Sequence, residues 1–334
     1  MDKKFVMGIA AMAALTLVSC SSDDLDSFSD NSSKNEAISF DGYLGRSAVA
    51  VNGTRGSVET KETLRTKGFG VFGKYDAGDN KTSDANFFVN QKVTCSNSKW
   101  TYTPLKYCPT QGQINFYAYA PYKDGQALKE NTNTFDFTVE PKAADQIDLL
   151  WANATGQIKT NFEGTTKEKV KFLFKHALSR LGYTVKLSGN YSPNNATFTL
   201  KKITLAGSPD DETKGAFYKT GTIDLSKTGS KEELSKTNTT GLWTAALDNN
   251  KQNFTWFDGS YVVKNSDPKH PTNSADEDYS GKDYLFVIPQ DFSQTKTEGH
   301  DVDELYVIVE YDVAYKSESG TPTTTITNKV YKKL

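Results

Sequence analysis

The chain has 334 residues, with 39 Lys and Arg against 41 Asp and Glu, a formal charge of -2. A near-neutral, slightly acidic surface offers no electrostatic grip on phosphate backbones or anionic headgroups, which argues against nucleic acid and peripheral membrane binding. The length suits about two domains, each with its own core.

Lys3 and Lys4 precede a mostly apolar 14-residue run from Phe5 to Val18, closed by Ser19-Cys20 and the acidic string Ser21-Ser22-Asp23-Asp24-Leu25-Asp26. A spanning helix needs about 20 apolar residues, so this run reads as the apolar region of a signal peptide. Leu17-Val18-Ser19-Cys20 resembles a bacterial lipobox, in which Cys20 is lipidated and becomes the first mature residue. The serines and aspartates that follow resemble the surface-export signal of Bacteroidota lipoproteins. The expected leader is residues 1–19, followed by a Ser-, Asp- and Asn-rich flexible tether over 20–37. Its predicted place is the outer face of the outer membrane, held there by the lipid on Cys20. Removal of the leader leaves 315 residues, 37 of them basic and 40 acidic, for a charge of -3.

From Ile38 onward the apolar pattern has period two. Ile38, Phe40 and Leu44 alternate with polar positions, as do Ile114, Phe116, Ala118 and Ala120, and again Val170, Phe172 and Phe174. The clearest strand runs through Leu305, Val307, Val309, Tyr311, Val313 and Tyr315. Many such runs, bounded by Gly, Asn, Asp and Pro, predict an all-β, antiparallel protein of sandwich type, with no amphipathic helix of three turns. A polar stretch from Asn153 to Lys169, relieved only by Ile158 and Phe162, marks the expected boundary between an N-terminal domain over 38–160 and a C-terminal domain over 161–334. The segments 226–240 and 264–280 read as surface loops.

Motifs for chemistry are near misses. Gly68-Phe69-Gly70-Val71-Phe72-Gly73 matches a dinucleotide fingerprint literally, but it reads as a glycine-punctuated strand with no helix behind it. Asp276, Asp278, Ser280 and Gly281 copy the start of a calcium loop, yet Val287 stands where the bidentate Glu belongs. His176 lies in an apolar stretch and reads as a hydrogen-bonded core histidine, while His300 has acidic neighbours but no second histidine or cysteine. No zinc, serine-hydrolase or phosphate-loop motif is present, so neither enzyme activity, metal nor cofactor is expected. Cys95 and Cys108 flank a hairpin with Asn97 and Ser98 at its turn; an oxidising exterior permits a disulfide, and separate packing of two small side chains fits as well.

Taken in order, Ile38-Ser39-Phe40, Tyr43-Leu44-Gly45, Thr54-Arg55-Gly56 and Gly68-Phe69-Gly70-Val71-Phe72 resemble the N-terminal pattern of the fimbrillin (Mfa-like) family of Bacteroidota. Asn90-Gln91-Lys92-Val93, Trp100-Thr101-Tyr102, Phe116-Tyr117-Ala118-Tyr119-Ala120-Pro121-Tyr122, Asp148-Leu149-Leu150-Trp151-Ala152, Phe174-Lys175-His176-Ala177-Leu178-Ser179 and Ile288-Pro289-Gln290 continue the likeness. The resemblance implies two tandem transthyretin-like β-sandwiches in a subunit or accessory protein of a surface fimbria. It also implies a lipoprotein precursor whose N-terminal shielding strand, here Ile38, Phe40 and Leu44, is removed by an arginine-specific protease. The partners would be other fimbrial subunits that donate a strand to the vacated edge.

The arginines bear on that expectation. Arg46, Arg55 and Arg65 cluster ahead of the distant Arg180, against 35 lysines, in a Gly-, Ser-, Thr- and Asn-rich window that reads as an accessible loop. Arg55 is the preferred processing site and Arg46 the second. Family members usually continue beyond the strand around Ile326 to Tyr331 into a Trp- and Gly-containing strand, whereas this sequence stops at Leu334; if that segment is the donor, its loss favours a tip, anchor or truncated form, and stalk, tip and anchor all stay open as expectations. The competing expectation is a glycan-binding surface lipoprotein using exposed rings among 17 tyrosines and 4 tryptophans.

Overall fold

The computed structural model describes residues 37–44, 58–78, 87–162, 168–187, 196–230, 241–244, 251–264, 284–292, 304–316 and 322–334. In the first half the strands are β1 (Phe40–Leu44), β2 (Phe69–Asp76), β3 (Phe88–Ser96), β4 (Lys99–Thr101), β5 (Gln113–Ala120), β6 (Thr134–Thr138) and β7 (Leu150–Gln157), with one helix, α1 (Lys61–Lys67). Then follow β8 (Val170–His176), β9 (Ser179–Leu181), β10 (Ala196–Ala206), β11 (Phe217–Tyr218), β12 (Thr220–Asp224), β13 (Trp243–Thr244) and β14 (Lys251–Gln252). The last are β15 (Phe254–Val263), β16 (Leu285–Val287), β17 (Tyr306–Lys316) and β18 (Pro322–Lys333). The predicted all-β class is therefore the observed one, and β5, β8 and β17 stand where alternation places them.

Among the described residues the largest sheet has the order β1-β8-β7-β5-β2-β3-β4, and a second has the order β15-β10-β17-β18. Smaller pairings are β13-β12-β6, β11-β14 and β16-β9. The first sheet is antiparallel except that β1 runs parallel to β8. It continues through β8 to His176, past residue 160, so the C-terminal half supplies the strand that stands beside β1.

The central strands of this sheet are buried on both faces. One face carries Phe69, Val71, Phe88, Phe116, Phe172 and Phe174. On the other, Phe72, Tyr119 and Trp151 pack with Phe217, Trp243 and Leu285, a core assembled from both sides of residue 160. Burial on both faces explains why β2 and the end of β5 read as nearly unbroken apolar runs rather than clean alternation. It also explains the glycines of the false dinucleotide motif. A Cβ on Gly70 would lie 2.4 Å from the Tyr119 ring, and one on Gly73 would lie 2.9 Å from the Phe88 ring, so these positions admit aromatic rings instead of side chains.

Local rules account for the rest. Asn97 and Ser98 take φ of 49° and 62°, the left-handed pair that a two-residue hairpin turn between β3 and β4 requires. The window around Arg65 is a correction to the expected loop. Thr60 caps α1, its hydroxyl accepting from Thr63 N at 3.2 Å while Thr63 Oγ1 accepts from Thr60 N at 2.7 Å, and Leu64 anchors the helix in the core. Arg65 is thus helical, though exposed.

Candidate functional site: the β1 slot and the terminal edge

A strand at the border of a sheet ordinarily leaves one row of backbone groups open. The border formed by β1 and the residues that lead into it is closed along residues 37–39. On one side its ladder to β8 sets Phe40 beside Val170 and Leu44 beside Phe174, and Val170 N donates to Ser39 O at 2.8 Å. On the other, Ile38 N donates to Lys106 O at 2.8 Å, the Tyr102 hydroxyl donates to Ile38 O at 2.7 Å, and Ala37 bridges Tyr107. The strand therefore fills a slot between β8 and the 102–107 segment.

The inward side chains fill that slot with apolar volume. Ile38 and Phe40 are 1% and 2% exposed, and Leu44 packs against the same cluster. The Phe40 ring lies 5.2 to 5.7 Å from the rings of Phe88, Tyr102, Phe116 and Phe172. Gly42 is the fourth inward position. Tyr43 and Asp41 face outward; the phenol donates to Asp41 Oδ2 at 2.6 Å, and that bond to a carboxylate pushes its pKa up to about 12.

Each large apolar side chain withdrawn from this slot would forfeit about 1.5 to 3 kcal/mol, and each ladder hydrogen bond about 1 kcal/mol. Those terms together rival the whole stability of an ordinary domain, about 5 to 15 kcal/mol. An emptied slot therefore favours any strand that fits.

Beyond β1 the chain re-enters the described fold at a second anchor. Val58 and Glu59 are buried, and Glu59 N donates to the buried Asp148 carboxylate at 2.8 Å. Asp148 also holds His176 Nδ1 at 2.8 Å, the hydrogen-bonded histidine that its apolar setting predicts. Lys67 pairs with the Glu59 carboxylate. These contacts hold the chain from residue 58 onward independently of β1.

Cys20, Arg46 and Arg55 lie outside the described residues, as do His270, His300 and the Asp276–Asp278 motif. Arg180 stacks over the Tyr284 ring at 4.4 Å. Cys95, opposite Trp100 in the β3–β4 ladder, and Cys108 are not joined in a disulfide. Among the described residues no three His, Cys, Asp or Glu side chains gather as a metal site, and no helix is long and apolar enough to cross a membrane. Trp151 and Trp243 are buried, Trp243 donating to Ala177 O at 2.7 Å. Trp100 packs on Phe69 at 4.9 Å and Trp256 on Tyr183 at 4.7 Å.

Sequence reasoning did not single out Tyr102 and Lys106 of the slot or Glu59 and Asp148 of the second anchor. Tyr102 stood in a recognisable motif, but its bond to a residue 64 positions away leaves no local trace.

The second sheet ends in β18, a border strand of a different kind. It pairs along β17 from Tyr306 beside Lys333 to Lys316 beside Pro322, yet Ile326, Val330, Tyr331 and Leu334 are all exposed. Polar contacts hold it. Glu212 accepts from Lys202 at 2.7 Å and also from Lys329 of β18, Lys333 bonds Glu304 at 2.7 Å, and Thr327 donates to Asp312 at 2.7 Å. The two lysines hold the Glu212 carboxyl well below its usual range, at about 2.

The match to known proteins runs almost the whole way along the chain. A fimbrillin-like family model matches residues 54–332. The chain belongs to the fimbrillin-like family. It is 26% identical over 350 residues to the fimbrium subunit Fim1C of Phocaeicola vulgatus, covering 96% of this chain and 86% of that protein. It shares the fold of a crystallised fimbrial protein from Bacteroides vulgatus, with a TM-score of 0.58, 18% identity and 90% of each chain covered. β1 lies before the first residue that the family model matches.

Two outcomes follow for the fimbrillin-like chain. Ile38→Asp with Phe40→Asp in the uncut protein lowers the melting temperature by many degrees, because two charges enter an aromatic pocket; an unchanged value contradicts the plug role of β1. Glu212 is held below its unfolded value near 4.5, so its stabilisation is complete above that pH and is lost as pH falls toward about 2. Glu212→Gln therefore flattens the acid limb of the stability curve between those two values, as followed by β-sheet circular dichroism.

Proposed function

We propose that this protein is a structural subunit of a cell-surface fimbria. In this reading it is exported as a lipoprotein through Cys20 and cut in the 46–55 region, at Arg55 in preference to Arg46. It then accepts a strand from another subunit in the slot that β1 occupies. The observation that carries the reading is β1 itself, a border strand with an apolar inner face whose lead-in residues 37–39 are hydrogen-bonded on both sides, followed by a separate anchor at Val58 and Glu59. A cut ahead of residue 58 severs β1 from the body and leaves the anchor at Val58 and Glu59 in place.

Family membership supports the fimbrial role, and the matched span supports the order of events, since it begins at residue 54, next to Arg55. The chemistry is strand addition, in which main-chain bonds supply affinity and alternate side-chain pockets supply register. An N-terminal sandwich over 38–160 and a C-terminal one over 161–334 belong to the same reading, with β8 crossing from the second to complete the first. The glycan-binding alternative loses its best candidates, because all four tryptophans pack against core residues.

Amino-terminal sequencing of the protein recovered from the cell surface tests the maturation. The expected start is Gly56, or Ser47 if the second site is used; a blocked Cys20 as the only start refutes it.

A further inference from the structure

The slot carries a steric code that goes beyond its capacity to take a strand, and the code rests on the strand-exchange reading above. Its inward positions are Ile38, Phe40, Gly42 and Leu44. A Cβ built on Gly42 would sit 3.1 Å from the Phe69 ring, 3.3 Å from Trp100 and 3.5 Å from Phe174. Phe69 packs on both of the others, 4.9 Å from Trp100 and 5.2 Å from Phe174, so a side chain at the glycine position requires these rings to shift. Two positions earlier the slot is the reverse, a four-ring pocket shaped to a single aromatic side chain.

We infer that the strand this slot accepts in exchange presents aliphatic, aromatic, glycine and aliphatic residues at the positions of Ile38, Phe40, Gly42 and Leu44. The chain's own border strand β18 does not meet this code. Residues 322–334 contain no Gly, Ala or Ser. With Ile326 in the aromatic pocket, Asn328 falls on the glycine position; with Val330 there, either Lys332 or, in the reversed direction, Asn328 does. Every alternate register brings a Thr, Ile, Asn, Val, Lys or Tyr against Phe69 and Trp100. Overfilling a packed site forces the rings out of their rotamers. A second Phe-Asp-Gly triplet occurs at residues 257–259, but Phe257 is buried within β15, which is committed to the second sheet.

The test uses the full chain cut between residues 45 and 57, so that β1 stays bound without a covalent link, and follows its displacement by labelled peptides. The probes are a peptide of residues 36–46, the same peptide with Gly42→Val, and a peptide of residues 322–334. The expected result is displacement by the first, with the other two at least tenfold weaker, and a narrower gap for the Gly42→Val peptide when Trp100→Ala opens the pocket in the protein. Displacement by either weaker probe within threefold of the 36–46 peptide overturns the code and leaves strand exchange standing. Failure of the 36–46 peptide itself overturns strand exchange, and the code with it.

Discussion

One short strand, entered through residues bonded on both sides, closes the aromatic interior of the largest sheet. β1 joins β8, from the second half of the chain, to the 102–107 segment, from the first, and its apolar face closes the aromatic interior between them. Backbone groups in such a slot must be paired or wetted, and phenylalanines at its floor must be covered. Both demands are met by five residues and the three that precede them. That is a large consequence for a segment that contributes so little of the fold.

The two borders of the protein contrast in how they are secured. β1 is held by burial, with its long apolar side chains inside and Asp41 and Tyr43 outside. β18 is held by its ladder and by ion pairs at its rim, with apolar side chains left exposed. Exposed pairs of this kind contribute little and are screened by salt. Removing β1 therefore opens a hydrophobic site, whereas loosening β18 uncovers mainly backbone.

Much of this was legible in the residues. Alternation located β5, β8 and β17, the Asn97-Ser98 pair located a hairpin, and Gly68 to Gly73 read correctly as strand because no helix pattern followed. The inward set Ile38, Phe40 and Leu44 was also visible, since period two is a local signal. What pairs with that set was not, because a parallel ladder to a strand some 130 residues away and a bond to Tyr102 are set by topology. α1, at seven residues, is too short for periodicity to reveal. The polar stretch from Asn153 conceals a strand end for a physical reason. Its first part is the end of β7, where the Asn153 amide donates to Leu225 O at 2.7 Å and Lys227 O at 2.8 Å, so a polar residue does structural work inside a strand.

The most direct measurement is hydrogen exchange at the β8 amides, residues 170–174, before and after β1 is released from the cut chain. The account predicts that their protection falls when β1 leaves and returns when a matching strand is supplied, while β10 and β17 stay protected throughout. Unchanged protection of β8 in the absence of β1 would contradict it.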